Sequence, residues 1–360
     1  MIKLLEFHHI ANTWEINPIK FQDVNLLVGK NAVGKSKTID ALSNAVSYLL
    51  QTKELDKYSQ YGFNLIFQID DEWVNYAFAF RFGLITKEIL RKRRIGETDE
   101  EILLNRDENQ TVLHSESINP PADKLTVHVR RDTLQYPYFE KIMQWAENVC
   151  GHRFNELDSA GDYSTRASIL QFDRNLQEMV KELSSEAKDH IIEQANKVGY
   201  PIEKIDLFEP TSDLKVVIFQ EKNIPYGLTY FNLSKGMFRT LYLLIYIEYL
   251  AAMKKPTLLL VDDLCEGLDY DRSIQLGRLL FEFCLENQIQ LIASSNDSFL
   301  MDVVDLRYWT ILQREGNIVN AINILSHPQL FEDFQFTGLN NFDLFSSDFI
   351  ARHLTVKGDE

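Results

Sequence analysis

Between Val24 and Leu50 the chain passes from a short apolar stretch, VNLLV, through a glycine-bearing loop, GKNAVGKS, into residues with apolar positions at helical spacing. That order predicts a strand, a loop and a helix. From Phe63, FNLIFQIDDEWVNYAFAFRFG alternates apolar and polar residues around Asp70 and Asp71, which predicts a β-hairpin, and ILLNRDENQTVLH continues in the same style. IKLLEFHHI and the strand before Gly29 are its expected N-terminal partners, with His8 and His9 structural. From Tyr138 to Gly199 the spacing turns to three and four residues and predicts a helical insertion. Farther on, PTLLLVDD places a buried strand at Leu258 to Val261. The stretch LYLLIYIEYLAAM, Leu241 to Met253, is broken by Glu248 and falls short of the roughly 18 residues a membrane span needs, so it is expected as a buried helix.

Composition narrows the classes. Hydrophobic residues make 45% and charged residues 25% of 360 residues, an ordinary globular balance long enough for one large domain with an insertion or for two modest ones. A net charge of -16 opposes general attraction to DNA or anionic membranes. RKRR at Arg91 to Arg94 and the pair Arg130 and Arg131 are local exceptions, read first as solvated faces. No export signal is visible, and Cys150, Cys265 and Cys284 are scattered, so a cytoplasmic protein with free thiols is expected.

The loop G-x-x-x-x-G-K-S carries the clearest chemistry. Gly29 and Gly34 let the backbone curl so that successive N–H groups point at phosphate oxygens, and the following helix adds its positive dipole end. The loop residues Lys30, Asn31, Ala32 and Val33 complete the cradle; Lys35 supplies a charge to the β- and γ-phosphates, and Ser36 a hydroxyl to magnesium. Lys37 stands where many such loops carry a second hydroxyl, with Thr38 one place later. A magnesium nucleotide also needs a carboxylate at the end of a neighbouring buried strand. Asp262 is the candidate magnesium ligand and Asp263 the candidate general base, the alternative being a cap for the next helix. Ser234 and Gly236, before the long apolar helix, form another helix N-terminus able to receive phosphate or simply a serine cap.

In their order these segments resemble the ABC ATPase superfamily, in the branch of SMC proteins, RecF and the bacterial overcoming-lysogenization-defect ATPases. GKNAVGKS is similar to the Walker A loop, LSKGM to the signature, LLLVDD to Walker B, EGLD ending at Asp269 to the D-loop, and LIASSND to the switch segment. The resemblance implies an α/β fold: an ABC ATPase head of the P-loop NTPase class with a mixed β-sheet, an antiparallel β lobe and a helical insertion. It implies ATP and Mg2+ as ligands and a homodimer or higher oligomer in which Ser234 and Gly236 act in trans. Gln135 takes the place of the family's Q-loop glutamine near the metal, on location alone. The matching organisation is an N-terminal lobe over 1–135, an insertion over 136–205, a C-terminal lobe over 206–325 and an aromatic-rich tail over 326–360. SMC-type ATPases carry a long coiled coil at the insertion, whereas this segment is too short for many heptads and reads as a lid or docking surface.

Two positions depart from the family. Asp263 stands where glutamate is usual, shorter by one methylene or roughly 1.5 Å. Asn296 stands where a switch histidine is expected and can neither titrate nor carry charge. A misplacement of about 1 Å costs on the order of a hundredfold in rate, so binding with slow turnover is expected. The leading expectation is an ATPase that controls a separate effector, a nuclease or toxin of a bacterial defence system. The alternatives are a DNA-engaging repair or chromosome ATPase, with nucleic acid as partner, and a silent nucleotide-bound scaffold. A membrane partner is not expected.

Overall fold

The computed structural model describes residues 1–9, 13–152, 175–211, 214–347 and 349–350. Its centre is the strand β3, Val24–Val28, in which all five residues are buried. Such a strand has no polar face because both of its sides are covered. Val24, Leu26 and Val28 enter one apolar core and Leu27 the other, so β3 is the wall between them. On one side it pairs in parallel with β14 (Ile289–Ser294), which in turn pairs in parallel with β13 (Thr257–Val261). On the other side it pairs in parallel with β15 (Trp309–Glu315), whose antiparallel partner is β16 (Ile318–Asn323).

The same ladder runs on without a break. β16 meets β2 (Glu15–Lys20) in parallel through Ile318 opposite Glu15 and Val319 opposite Ile16. Asparagine side chains reinforce this seam: Asn17 donates to Asn320 at 2.7 Å, and Asn323 donates to the Lys20 carbonyl at 2.8 Å. β2 pairs with β1 (Ile2–His9), and an antiparallel lobe follows: β4 (Gln60–Ile69), β5 (Glu72–Arg81), β6 (Leu84–Arg94), β7 (Glu101–Arg106), β8 (Thr111–Leu113) and β9 (Glu116–Ile118). In all, 14 strands form one sheet in the order β10, β13, β14, β3, β15, β16, β2, β1, β4, β5, β6, β7, β8, β9. The hairpin expected around Asp70 and Asp71 is β4 and β5, with Asp70 in the left-handed region at φ 52°.

Helices cover this sheet on both sides. α1 (Lys35–Leu49) and α3 (Pro137–Glu147) pack with the inner face of the lobe, where Tyr48, Phe63 and Phe80 meet edge to face or tilted. A four-residue helix α2 (Thr126–Val129) precedes α3. On the opposite core lie a helical stretch α4 over 175–182, α5 (Ser185–Val198), α6 (Lys235–Met253) and α7 (Tyr270–Glu286). The apolar run at Leu241 is the buried body of α6, as its composition requires. No helix among the described residues is long and apolar enough to cross a membrane.

One feature corrects the segment read as wholly helical from Tyr138 to Gly199: Val149–His152 form β10, which pairs in parallel with β13 at the sheet edge. Beyond that segment Ile202–Thr211 form β11, which pairs with β12 (Leu214–Glu221) in a separate ribbon, so the insertion expected over 136–205 ends inside a strand. A four-residue strand is too short to show a period of two, and its existence depends on the edge of β13 being free to pair. The expected helical stretch between Arg153 and Arg174 lies outside the described residues. α8 (Ser298–Val303) and, in the tail, α9 (Pro328–Gln335) and α10 (Asn341–Ser346) lie close to the α6–α7 core; Leu330, Phe331, Phe334 and Leu344 are buried there, while Phe336 and Leu339 stay exposed.

Candidate nucleotide site

The phosphate loop leaves the buried end of β3 and turns into α1 with no room for side chains at its glycines. A Cβ at Gly29 would stand 2.6 Å from Val33 Cγ2 and 2.8 Å from the Leu312 carbonyl oxygen. At Gly34, φ is 113°, and a Cβ would meet Val319 at 2.8 Å. Ala32 at the loop tip also has a positive φ of 63°, and its carbonyl accepts from Arg314, whose guanidinium lies 4.3 Å over the Trp14 ring. Lys30, Asn31, Ser36 and Lys37 are exposed, Val33 is half-buried, and Thr38 is buried with its hydroxyl on the Gly34 carbonyl. The N-terminus of α1 has no side-chain cap, so no side chain competes for its N–H groups.

Lys35 is buried, and its ammonium donates to the carbonyls of Gly29 at 2.8 Å and Lys30 at 3.2 Å. Burial pushes its pKa down, against the pull of Asp263 and Asp262. These two aspartates come from the end of β13. Topology explains the meeting: β14 lies between β13 and β3, all three strands run parallel, and their C-terminal ends open on the same edge.

Ser294, the last residue of β14, organises the aspartate pair. Its hydroxyl donates to Asp262 Oδ1 at 2.5 Å and accepts from the Asp263 backbone N–H at 2.9 Å. Asp262 is buried; Asp263 is half-buried with φ 49°, a left-handed conformation that is uncommon for a non-glycine residue. Burial, then the neighbouring charges of Asp262 and Glu266, raise the Asp263 carboxyl above the usual range. Arg239 holds this turn from behind. It reaches from α6 with its guanidinium buried, donating to the carbonyls of Asp263 at 2.7 Å and Glu266 at 2.9 Å and pairing with the Glu266 carboxylate at 3.2 Å.

Arg239 thereby ties the aspartates to the segment at the start of α6. Ser234 is the N-cap of α6 and accepts from the Met237 N–H at 3.3 Å. A Cβ on Gly236 would lie 2.6 Å from the Gly267 carbonyl oxygen, so this glycine packs directly on the turn that leads to Asp269. Asp269 caps α7 by accepting from the Arg272 N–H, and it pairs with the Arg272 guanidinium, which lies over Tyr200. Asp297 caps α8 and accepts from Ser273, while its neighbour Asn296 is exposed just beyond β14.

Gln135 is not joined to this constellation. It sits in an exposed turn with its N–H on Asp132, and no hydrogen bond among the described residues links it to Lys35, Ser36 or Asp262. Arg131 is engaged by Glu140 and Glu147, so the pair Arg130 and Arg131 does not form one free basic face with Arg91 to Arg94. Sequence reasoning missed Ser294 and Arg239; the signal for Ser294 was a hydroxyl at the end of a mostly apolar strand, where only an inward partner makes it tolerable.

The chemistry of the donor set fits a magnesium nucleotide. The loop offers uncapped N–H groups and a buried ammonium to phosphates, and Ser36 with Asp262 offers the one hydroxyl and one carboxylate that magnesium takes when phosphates and water fill its remaining positions. Among the described residues no group of three His, Cys, Asp or Glu side chains forms an all-protein metal site.

Residues 24–302 match the family described as "AAA domain, putative AbiEii toxin, Type IV TA system". No curated protein matches the chain. Among solved structures, an SmcHead bound to the C-winged helix domain of ScpA is 11% identical, with 91% of this chain and 99% of that chain covered and a TM-score of 0.49. An SMC head domain from Thermotoga maritima is 13% identical, with coverages of 89% and 98% and a TM-score of 0.45. An Smc head domain with an extended coiled coil, bound to the C-terminal domain of ScpA derived from Pyrococcus furiosus, is 12% identical, with coverages of 93% and 99% and a TM-score of 0.49.

Proposed function

Because the chain belongs to this AAA-domain family, we propose that it binds Mg-ATP at the phosphate loop, closes as a dimer over the nucleotide and hydrolyses it slowly. One observation carries the reading: buried Lys35, on a helix whose N-terminus is uncapped, faces the Asp262 and Asp263 pair across β14. Lys35 binds the terminal phosphates, Ser36 and Asp262 hold magnesium, and bound magnesium supplies charge neutralisation to the phosphoryl oxygens. Asp263 orients the attacking water and takes its proton as the bond to the γ-phosphorus forms and the bond to the leaving oxygen breaks. Its short side chain, and the neutral amide of Asn296 beyond β14, favour binding over turnover.

In this reading Ser234, Gly236 and Asp269 face the nucleotide of a second copy, and Gln135 approaches the metal only when the dimer closes. The output is a separate effector, a nuclease or toxin. The family description, with its toxin and toxin–antitoxin wording, supports that setting. The test is ATP binding, phosphate release and mass by light scattering for the wild type, Lys35→Ala and Asp263→Asn. An ATP-trapped dimer for Asp263→Asn beside a monomeric, non-binding Lys35→Ala is the expected pattern; a wild type that binds no nucleotide refutes the proposal.

A further inference from the structure

At the end of β3 opposite the phosphate loop, the outer face of the antiparallel lobe carries a depression bordered by Leu285 near the end of α7. The two ends are separated by the length of β3, roughly 17 Å for five residues. There the sheet bounds a cavity of about 800 Å3, which is closed off by Gln22 and Asp23 just before β3 and by Tyr308 just before β15. Strand register defines its floor. Leu4 lies opposite both Lys20 and Ile66, Ile66 opposite Asn75, and Asn75 opposite Arg91; one step along, Gln68 lies opposite Trp73 and Trp73 opposite Arg93. Alternation puts Arg91 and Arg93 on this face, while Lys92, between them, donates to Tyr138 on α3.

The charge here runs against that of the whole molecule. In a chain of net charge -16, the cations facing the cavity are Lys3, Lys20, Arg91 and Arg93 against Asp23 and Glu100. Lys3 pairs with Asp23 at 3.2 Å and Arg91 with Glu100 at 3.5 Å, whereas no carboxylate pairs with Lys20 or Arg93 among the described residues. The Arg91 side chain keeps 41% of its surface exposed, so its guanidinium is open to a ligand from solvent.

We propose that this cavity binds single-stranded nucleic acid, with Arg91, Arg93 and Lys20 on phosphates and a base laid against Trp73. Cationic side chains around an aromatic platform on an open sheet face are what unpaired bases require, and the side-chain amides of Gln68 and Asn75 flank Trp73 with donors and acceptors for base edges. An acidic peptide would use the cations but not the planar platform with amides beside it. The site is separate from the nucleotide pocket and stands whether or not ATP is hydrolysed.

The test is fluorescence anisotropy of labelled 12-nucleotide oligo-dT and oligo-rU with the full chain, over a series of salt concentrations. Binding of at least one is expected, with the DNA and RNA arms identifying the source. Trp73→Ala and the double variant Arg91→Ala/Arg93→Ala should each weaken it at least tenfold, and Trp73→Phe should stay within about threefold because the ring face is kept. The double variant should also lower the salt slope by about 1.4, two charges at 0.7 each. Far-UV circular dichroism of each variant, expected unchanged on this outer face, separates lost binding from lost fold. The proposal is overturned if neither oligonucleotide binds at low salt, if folded variants bind as the wild type does, if Mg-ATP displaces the strand, or if poly-glutamate displaces it as effectively as unlabelled oligonucleotide.

Discussion

The hydroxyl of Ser294 donates to Asp262 at 2.5 Å, and the same oxygen accepts the N–H of Asp263, so one side chain at the end of β14 sets both aspartates of β13. Without it, Asp262 is a buried carboxylate lacking its described donor. Ser294→Ala is expected to lower stability by about 1–3 kcal/mol, the range for a buried polar group left unpaired. Phosphate release should fall by more than nucleotide affinity, because the loop that holds the phosphates is untouched. Equilibrium urea unfolding and a magnesium titration of turnover check the two halves.

Among the described residues Lys35 donates to carbonyls of its own loop, and burial depresses its pKa, so the ammonium is held at some expense until phosphate arrives. A lysine with a lowered folded pKa binds fewer protons than in the unfolded chain, and stability therefore rises with pH from the folded value towards the unfolded one. Lys35→Met keeps the stem and removes the charge. The apo variant should be at least as stable as the wild type and should lose the upward slope that Lys35 contributes at alkaline pH. It should also lose the gain in Tm that ATP gives the wild type, about 2.7 kcal/mol of stabilisation at a hundredfold excess over Kd. Thermal melts with and without Mg-ATP, repeated across pH, measure all three.

Gly236 packs against backbone, since an added Cβ would lie 2.6 Å from the Gly267 carbonyl oxygen. Gly236→Ala should cost about 1–3 kcal/mol through overpacking and shift the turn before Asp269. At Gly277 the intruding Cβ would meet Leu300 Cδ1 at 2.0 Å, the end of a flexible side chain. Gly277→Ala is expected to be milder, and a side-by-side denaturation series decides.

Inside the antiparallel lobe, Glu88 is fully buried and accepts from Tyr76 at 2.5 Å, from the Thr126 N–H and hydroxyl, and from Arg106 at 3.4 Å. Burial raises its pKa above the ordinary glutamate value despite these donors. A raised acid binds more protons folded than unfolded, so its contribution to stability is present at low pH and declines as pH rises from the unfolded value through the folded one. Glu88→Gln should flatten that decline. Glu88→Ala strands the buried Arg106 and should cost about 3–5 kcal/mol. Urea unfolding of both variants at a series of pH values tests the sign.

How far these features could be read beforehand depended on the range of the interaction that makes them. The phosphate loop, the aspartate pair and the β4–β5 hairpin are written in contiguous residues, and each appears where its local chemistry demands. The placement of β14 between β3 and β13 joins segments more than two hundred residues apart and has no local signature. β10 was hidden by its length, and Arg239 by its position in a helix whose other residues are mostly apolar. The cavity over Trp73 was concealed differently. Arg91 and Arg93 look like part of a solvated run until strand pairing sets them beside Trp73 and Asn75, with Lys92 turned towards α3.

Among the described residues, the 14-stranded ribbon passes from the nucleotide-site half to the antiparallel lobe at the seam between β16 and β2. A ribbon without a gap has no hinge line, so the halves cannot swing apart while their strands stay paired. In the proposed dimer, nucleotide binding is then expected to move one whole chain against the other. Pulled from its two ends, the molecule should part first at that seam, where the ladder among the described residues is two register pairs long, Ile318 with Glu15 and Val319 with Ile16. The asparagine bridges of Asn17 and Asn323 then act as its rivets.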